Sequence, residues 1–193
     1  MSIINVVGAK IWGGGEQYVY DICKQLQQRH RTAYILVDQS NEDMQSRYAQ
    51  VGHVMTANLY TLKGFLSVNA VAKQMKEQGI NTIVCHSGKY ILFCIALKQL
   101  TGAKLVFIKH NLVPGKTDIY HRWINEQVDA FVCVSKLVYD DLMTPAIKDT
   151  SKYHVVYNGI DPNRFQSFSD AVPMKYKVRT FGYSARITER KGL

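Results

Sequence analysis

Proline is scarce in this 193-residue chain, at four residues, and glycine reaches only 13, so neither a collagen-like repeat nor a low-complexity linker fits. Charged residues make up 20% and hydrophobic residues 47%, a balance that excludes intrinsic disorder and marks a globular chain. No apolar run approaches the roughly 18 to 20 residues that a membrane-spanning helix needs. The start, Met1-Ser2-Ile3-Ile4-Asn5, lacks the basic n-region and long apolar stretch of a signal peptide, so a cytoplasmic location is expected. Cysteine is limited to Cys23, Cys85, Cys94 and Cys133, each inside an apolar run. With no Cys-x-x-Cys and no histidine at zinc-finger intervals, reduced core thiols and no metal site are expected.

Acidic residues are also few: 15 against 24 Lys and Arg, for a net charge of +9. Such an excess suits nucleic acid, an anionic membrane surface or a phosphorylated small ligand. Its location narrows the choice. Residues 162–193 hold seven basic residues and two acidic ones, a net +5 in about a sixth of the chain. No helix-turn-helix, zinc or aromatic RNA-binding signature accompanies them, so nucleic acid is not an expected partner.

Short β-branched runs at 3–7, 33–37, 53–57, 82–85, 105–108 and 130–134 read as strands. Between them lie helical patterns, the clearest with Val19, Ile22, Cys23 and Leu26 on one stripe and Gln25, Gln27 and Gln28 opposite. Further helices are expected at 42–50, 65–78, 90–100, 118–126 and 136–147. Strands apolar on both faces and separated by helices predict an α/β domain, a doubly wound, Rossmann-like parallel sheet. A strand at 153–157, a turn at 158–162 and a polar connector follow, and then a fresh strand at 177–183 leads into a basic loop. The expected organisation is therefore a domain over 1–170, with 171–193 beginning a second one.

In doubly wound sheets ligands sit beyond the carboxyl ends of the strands. Gly13-Gly14-Gly15-Glu16 opens the first helix there and offers backbone N–H groups and the positive helix end to an anion or a hydroxyl-rich ligand. The alternative is a loop whose glycines only permit a tight turn. Spacing excludes both Gly-x-Gly-x-x-Gly and the Gly-x-x-x-x-Gly-Lys-Ser/Thr loop. His86 and His110-Asn111 follow apolar strands, as structural hydrogen-bonding residues or as ligand groups. Ser135 reads as a helix N-cap that could also hold a ligand. Asn158-Gly159 suits a turn, and Arg186 and Lys191 together suit a diphosphate.

In this order the pieces resemble the retaining family 4 glycosyltransferases of the two-domain GT-B architecture, over nearly the whole chain. The resemblance rests on Gly13, Gly14 and Glu16, on His86 and His110, on 128–135 ending in Ser135, on 156–161 with Asn158, and on the Arg186 to Lys191 loop. It implies a nucleotide-diphosphate sugar donor, a glycan or lipid-linked acceptor in cell-surface polysaccharide or glycolipid synthesis, and no metal. It places Gly13, Gly14, Gly15, Arg186 and Lys191 at the donor diphosphate, and His110 near the reacting centre. Glu16, His86, Asn111, Ser135 and Asn158 then fall in the acceptor side or cleft.

Family members run to about twice this length, so the chain is expected to be an N-terminal half that is inactive alone. The alternative is a complete binding module or one subunit of a split transferase. The segment 59–65 and the basic stretch 98–122 read first as solvated surface, with peripheral contact at the inner face of a membrane as the alternative. The apolar run at 178–183 could pair two copies into a dimer.

Overall fold

The computed structural model describes residues 2–59, 64–144, 147 and 149–162. By internal contacts the chain divides into two compact units, 1–158 and 159–193. Arg186, Lys191 and the expected strand at 177–183 lie outside the described residues, as does the run at 178–183 expected to pair copies.

The first unit alternates strands and helices: β1 (Ile3–Val7), α1 (Gly14–Gln28), β2 (Ala33–Asp38), α2 (Glu42–Ala49), β3 (His53–Ala57), α3 (Gly64–Glu77) and β4 (Thr82–Cys85). After a 3₁₀ turn at Gly88–Tyr90 come α4 (Ile91–Thr101), β5 (Lys104–Lys109), α5 (Ile119–Gln127), β6 (Ala130–Cys133), α6 (Lys136–Leu142) and β7 (Tyr153–Val155). All seven strands are parallel, in the order β3-β2-β1-β4-β5-β6-β7. The doubly wound Rossmann-like sheet expected from the sequence is what forms.

Right-handed crossovers decide where the helices go. The chain winds outward from β1 to β3, then returns to lay β4 on the other side of β1, so the helices change face at that point. One core accordingly joins Val19, Cys23, Met44 and Tyr48 of α1 and α2 to Ile35 and Val37 of β2. The other joins Val71 and Met75 of α3, Leu97 of α4, Ile124 of α5 and Leu142 of α6 to Ile4, Leu36 and Ile83. The β1/β4 seam is therefore where a crevice opens at the carboxyl edge of the sheet.

Two boundaries depart from the sequence pattern by more than one residue. The helix expected to reach 147 ends at Leu142, with Met143 already extended. Pro145 follows in the sequence and disfavours helical backbone in the residue before it. The last strand stops at Val155, two residues early. All four cysteines are free and buried. No helix among the described residues is long and apolar enough to cross a membrane.

Asp38, 4% exposed at the end of β2, organises the adjoining loops. Its carboxylate accepts from the Ser40 N–H (3.0 Å) and hydroxyl (2.5 Å) and from the Leu59 N–H (2.9 Å). Burial pushes its pKa up, but these donors and the charge of Lys10 outweigh that and hold it below the usual carboxylate range. In Asp38→Asn one donor must face an amide NH₂, which cannot accept. We expect about 1–3 kcal/mol of lost stability in urea unfolding, and unchanged stability would show that these bonds contribute nothing net.

Candidate functional site

Five segments meet the carboxyl edge of β1, β4 and β5. The first is the turn into α1. Gly13 is its N-cap, with φ −152° and no side chain to cap the helix, and Glu16 sits in the first turn. A Cβ at Gly14 or Gly15 would meet nothing within 4 Å. The glycines are therefore not required by crowding within this unit, and they leave the helix start uncovered. The loop before them is held by side chains that the sequence pattern did not single out. Asn41 caps α2 through Met44 N–H while its amide donates to the Ala9 (2.9 Å) and Lys10 (3.3 Å) carbonyls. Trp12 donates to Gln17 Oε1 (3.2 Å), packs 5.3 Å from the Tyr48 ring and lies under the Arg47 guanidinium. Tyr48 in turn donates to the Glu16 carbonyl at 3.0 Å.

At the ends of the adjacent strands β4 and β5 the two strand-end histidines come together. His86 Nδ1 lies 3.0 Å from His110 Nε2, and His86 Nε2 lies 3.1 Å from Asn5 Oδ1. A carboxamide oxygen only accepts, so His86 carries its proton on Nε2. Its Nδ1 lone pair then accepts from His110 Nε2–H, and the lone pair of His110 is left on Nδ1. Asn5, 3% exposed in mid-strand, thus sets the tautomer of a residue two steps away. The rings stack at 21°, with Tyr18 of α1 packed edge-on against both.

Burial, reinforced by the proximity of His110, pushes the His86 pKa down to about 3. Burial also lowers that of His110. Both imidazoles are neutral at physiological pH, which the proton order of the chain requires.

Against these two histidines lies a cavity of about 390 Å³. Its walls are the 3₁₀ turn with Ser87 and Lys89, the end of β5 with Phe107 and Lys109, the loop from Asn111 to Lys116, and α5 with Tyr120, Ile124 and Asn125. Gly115 fastens the loop to α6: its N–H donates to the Asp141 carbonyl at 3.1 Å, and a Cβ there would fall 2.2 Å from the Leu142 carbonyl oxygen. Here glycine is demanded by close approach.

His86, His110 and Asn111 are thus brought together. Glu16 stands apart from them at the α1 start. Ser135 is the N-cap of α6, accepting from Val138 N–H at 3.2 Å, and it does not line the cavity. Asn158 is exposed at the end of the first unit. Of the expected membrane-contact segments, 60–63 lie outside the described residues and Leu59 is buried at 5% exposure, whereas Leu112, Val113, Ile119 and Tyr120 are exposed. Among the described residues no group of three or more His, Cys, Asp or Glu is placed to hold a metal ion.

A parallel sheet wound in this order, with its site at the reversal seam, is the architecture of the GT-B glycosyltransferases. The family model for Glycosyltransferase Family 4 matches residues 12–164, and the chain belongs to that family. No curated protein matches it. Among solved structures, a glycosyltransferase from Rickettsia africae superposes with a TM-score of 0.71 at 17% identity, over 86% of this chain and 48% of that one. Anabaena HepE, crystallised with UDP-glucose, gives 0.66 at 19% identity over 84% and 45%. The lipopolysaccharide outer core galactosyltransferase WaaB gives 0.58 at 14% identity over 83% and 46%. This chain spans about half the length of the structures it matches.

His86 gives the fold a pH signature. Its folded pKa lies below the unfolded value of about 6.5, so its contribution is present above that value and is lost as pH falls from there toward 3. We expect the melting temperature to drop on the order of 5 °C more between pH 7 and pH 5 in the wild type than in His86→Gln. Parallel pH profiles would show that His86 takes up its proton freely in the folded state.

Proposed function

We propose that this chain is the acceptor-side half of a retaining glycosyltransferase. In this reading the enzyme moves a hexosyl unit from a nucleotide-diphosphate sugar to a glycan or lipid-linked acceptor in cell-surface polysaccharide or glycolipid synthesis, at the cytoplasmic face of the membrane. One observation carries the reading: the uncovered α1 start and the neutral His86–His110 pair share the carboxyl edge of adjacent strands. The UDP-glucose bound to HepE supports a UDP-sugar donor.

The free N–H groups at the α1 start then face the donor diphosphate, where no side chain stands in the way. Arg186 and Lys191 of the second domain meet the negative charge that builds on the departing diphosphate, without a metal ion. His110, held by His86 and Asn5, presents its Nδ1 lone pair to a hydroxyl of the donor sugar. A hydrogen bond to a neutral acceptor positions the sugar without placing a second positive charge beside an anomeric carbon that becomes cationic in the transition state.

Because the donor groups are divided between two domains, the isolated chain is expected to show no transfer from any nucleotide sugar. Robust transfer by residues 1–193 alone would overturn that division and favour a complete module. In a polypeptide that includes the second domain, the product should keep the donor's anomeric configuration. His110→Ala should there lower kcat about a hundredfold with little change in KM for the acceptor. An inverted product would overturn the retaining assignment, and an unchanged kcat would remove His110 from the reacting centre.

A further inference from the structure

The cavity beside His110 carries a charge imbalance that the donor chemistry does not use. Lys89, Lys109 and Lys116 all line it, and no aspartate or glutamate does. The ion pairs among the described residues lie elsewhere: Lys98 and Lys104 share Asp129, Lys136 meets Asp140, Lys73 meets Glu77, and Arg47 meets Asp43. One carboxylate comes near: Asp118 does not line the cavity but is engaged at 2.7 Å by His121, which does. Lys109 is only partly exposed and rests 4.6 Å from the centroid of the Phe107 ring. Three ammonium groups without a counter-ion, one of them partly withdrawn from water, are costly in the empty domain and complementary to an anion.

We propose that this cavity is an anion subsite for the acceptor, in which Lys109, with Lys89 and Lys116, binds a phosphoryl group carried by the molecule that receives the sugar. The inference rests on reading this half as the acceptor side. It adds the substrate class, a phosphorylated acceptor. The volume, about 390 Å³, exceeds what a phosphate alone fills and leaves room for an attached sugar or glycerol unit. Burial lowers the Lys109 pKa and the neighbouring Lys116 adds to that, while the Cys133 and Cys85 thiols oppose it. A bound dianion would reverse this balance and hold the ammonium charged. At the cavity edge, exposed Val113 and Tyr120 provide an apolar rim, so the phosphoryl group could come from a lipid headgroup or from a soluble sugar phosphate.

Binding to the chain itself tests this independently of transfer. Glucose 1-phosphate and glucose are titrated by calorimetry into the wild type, Lys109→Met, Lys116→Met and, as a control outside the cavity, Lys73→Met. The expected result is binding of the phosphate ester but not of glucose, weakened about tenfold by each cavity substitution and unchanged by Lys73→Met. Equal binding by all four proteins, binding of glucose with the same affinity, or full displacement by UDP would overturn the proposal. If Lys109→Met fails to fold, the exposed Lys116 carries the same test.

Sedimentation with phosphatidylglycerol and phosphatidylcholine vesicles identifies the source. Retention on the anionic vesicles that Lys116→Met weakens assigns a lipid headgroup, whereas binding of the soluble ester without retention assigns a free sugar phosphate. Absence of transfer by a polypeptide that includes the second domain, with phosphate binding intact, would refute the proposed function and leave this subsite standing.

Discussion

The hydrogen bond between Asn5 and His86 crosses the one seam of the sheet where the helices change face. On the far side of β1 the helices cover one surface, and beyond β4 they cover the other, so no crossover helix shields the carboxyl ends of these two strands. A polar residue in the middle of a buried strand is ordinarily a defect, because an amide taken out of water must find partners. Asn5 finds one across the seam, and the partner is a strand-end histidine. The tautomer of His86, and through it that of His110, depends on that contact.

Much of this was legible in the sequence, and for identifiable reasons. Runs such as Thr82–Cys85, buried at every residue, can only be interior parallel strands. Glycine at the α1 start and the histidines after β4 and β5 were readable because the doubly wound fold places strand-end residues at its ligand edge whatever else the sequence does. The reach of α6 was overread because the apolar spacing continues to Ile147, while the proline inside it decides where the helix stops. Ser135 read first as a helix N-cap and second as a ligand group. Its hydroxyl is spent on Val138, as the N-cap preference of serine would have it.

Asn5 was invisible for a different reason. It lies 81 positions from His86, and its own strand presents it as one polar residue among isoleucines and valines. Periodicity reports which face a residue occupies but not which distant side chain shares that face. Tyr18 was hidden in the same way, since its contacts with both histidines arise only when α1 packs beside the β1/β4 seam. Lys109 has a local signature, a lysine ending an apolar strand, but the pattern reads equally well as a strand stepping out into solvent.

The distribution of positive charge joins these observations. Residues 162–193 hold +5 of the +9, which directs attention to the end of the chain. Away from that end, Lys73, Lys98, Lys104 and Lys136 are paired with carboxylates, and Lys98 also reaches the Gln127 carbonyl at the edge of the sheet opposite the crevice. There the charge is structural, fastening α4 to the start of β6. At the carboxyl edge Lys89, Lys109 and Lys116 converge on one cavity with no carboxylate in its lining. A fold selected for stability alone would place an acid beside Lys109 or replace it with an apolar residue. Neither has happened at the edge where the neutral histidines also stand, so uncharged ring nitrogens and lysines with no lining carboxylate share one wall of the fold.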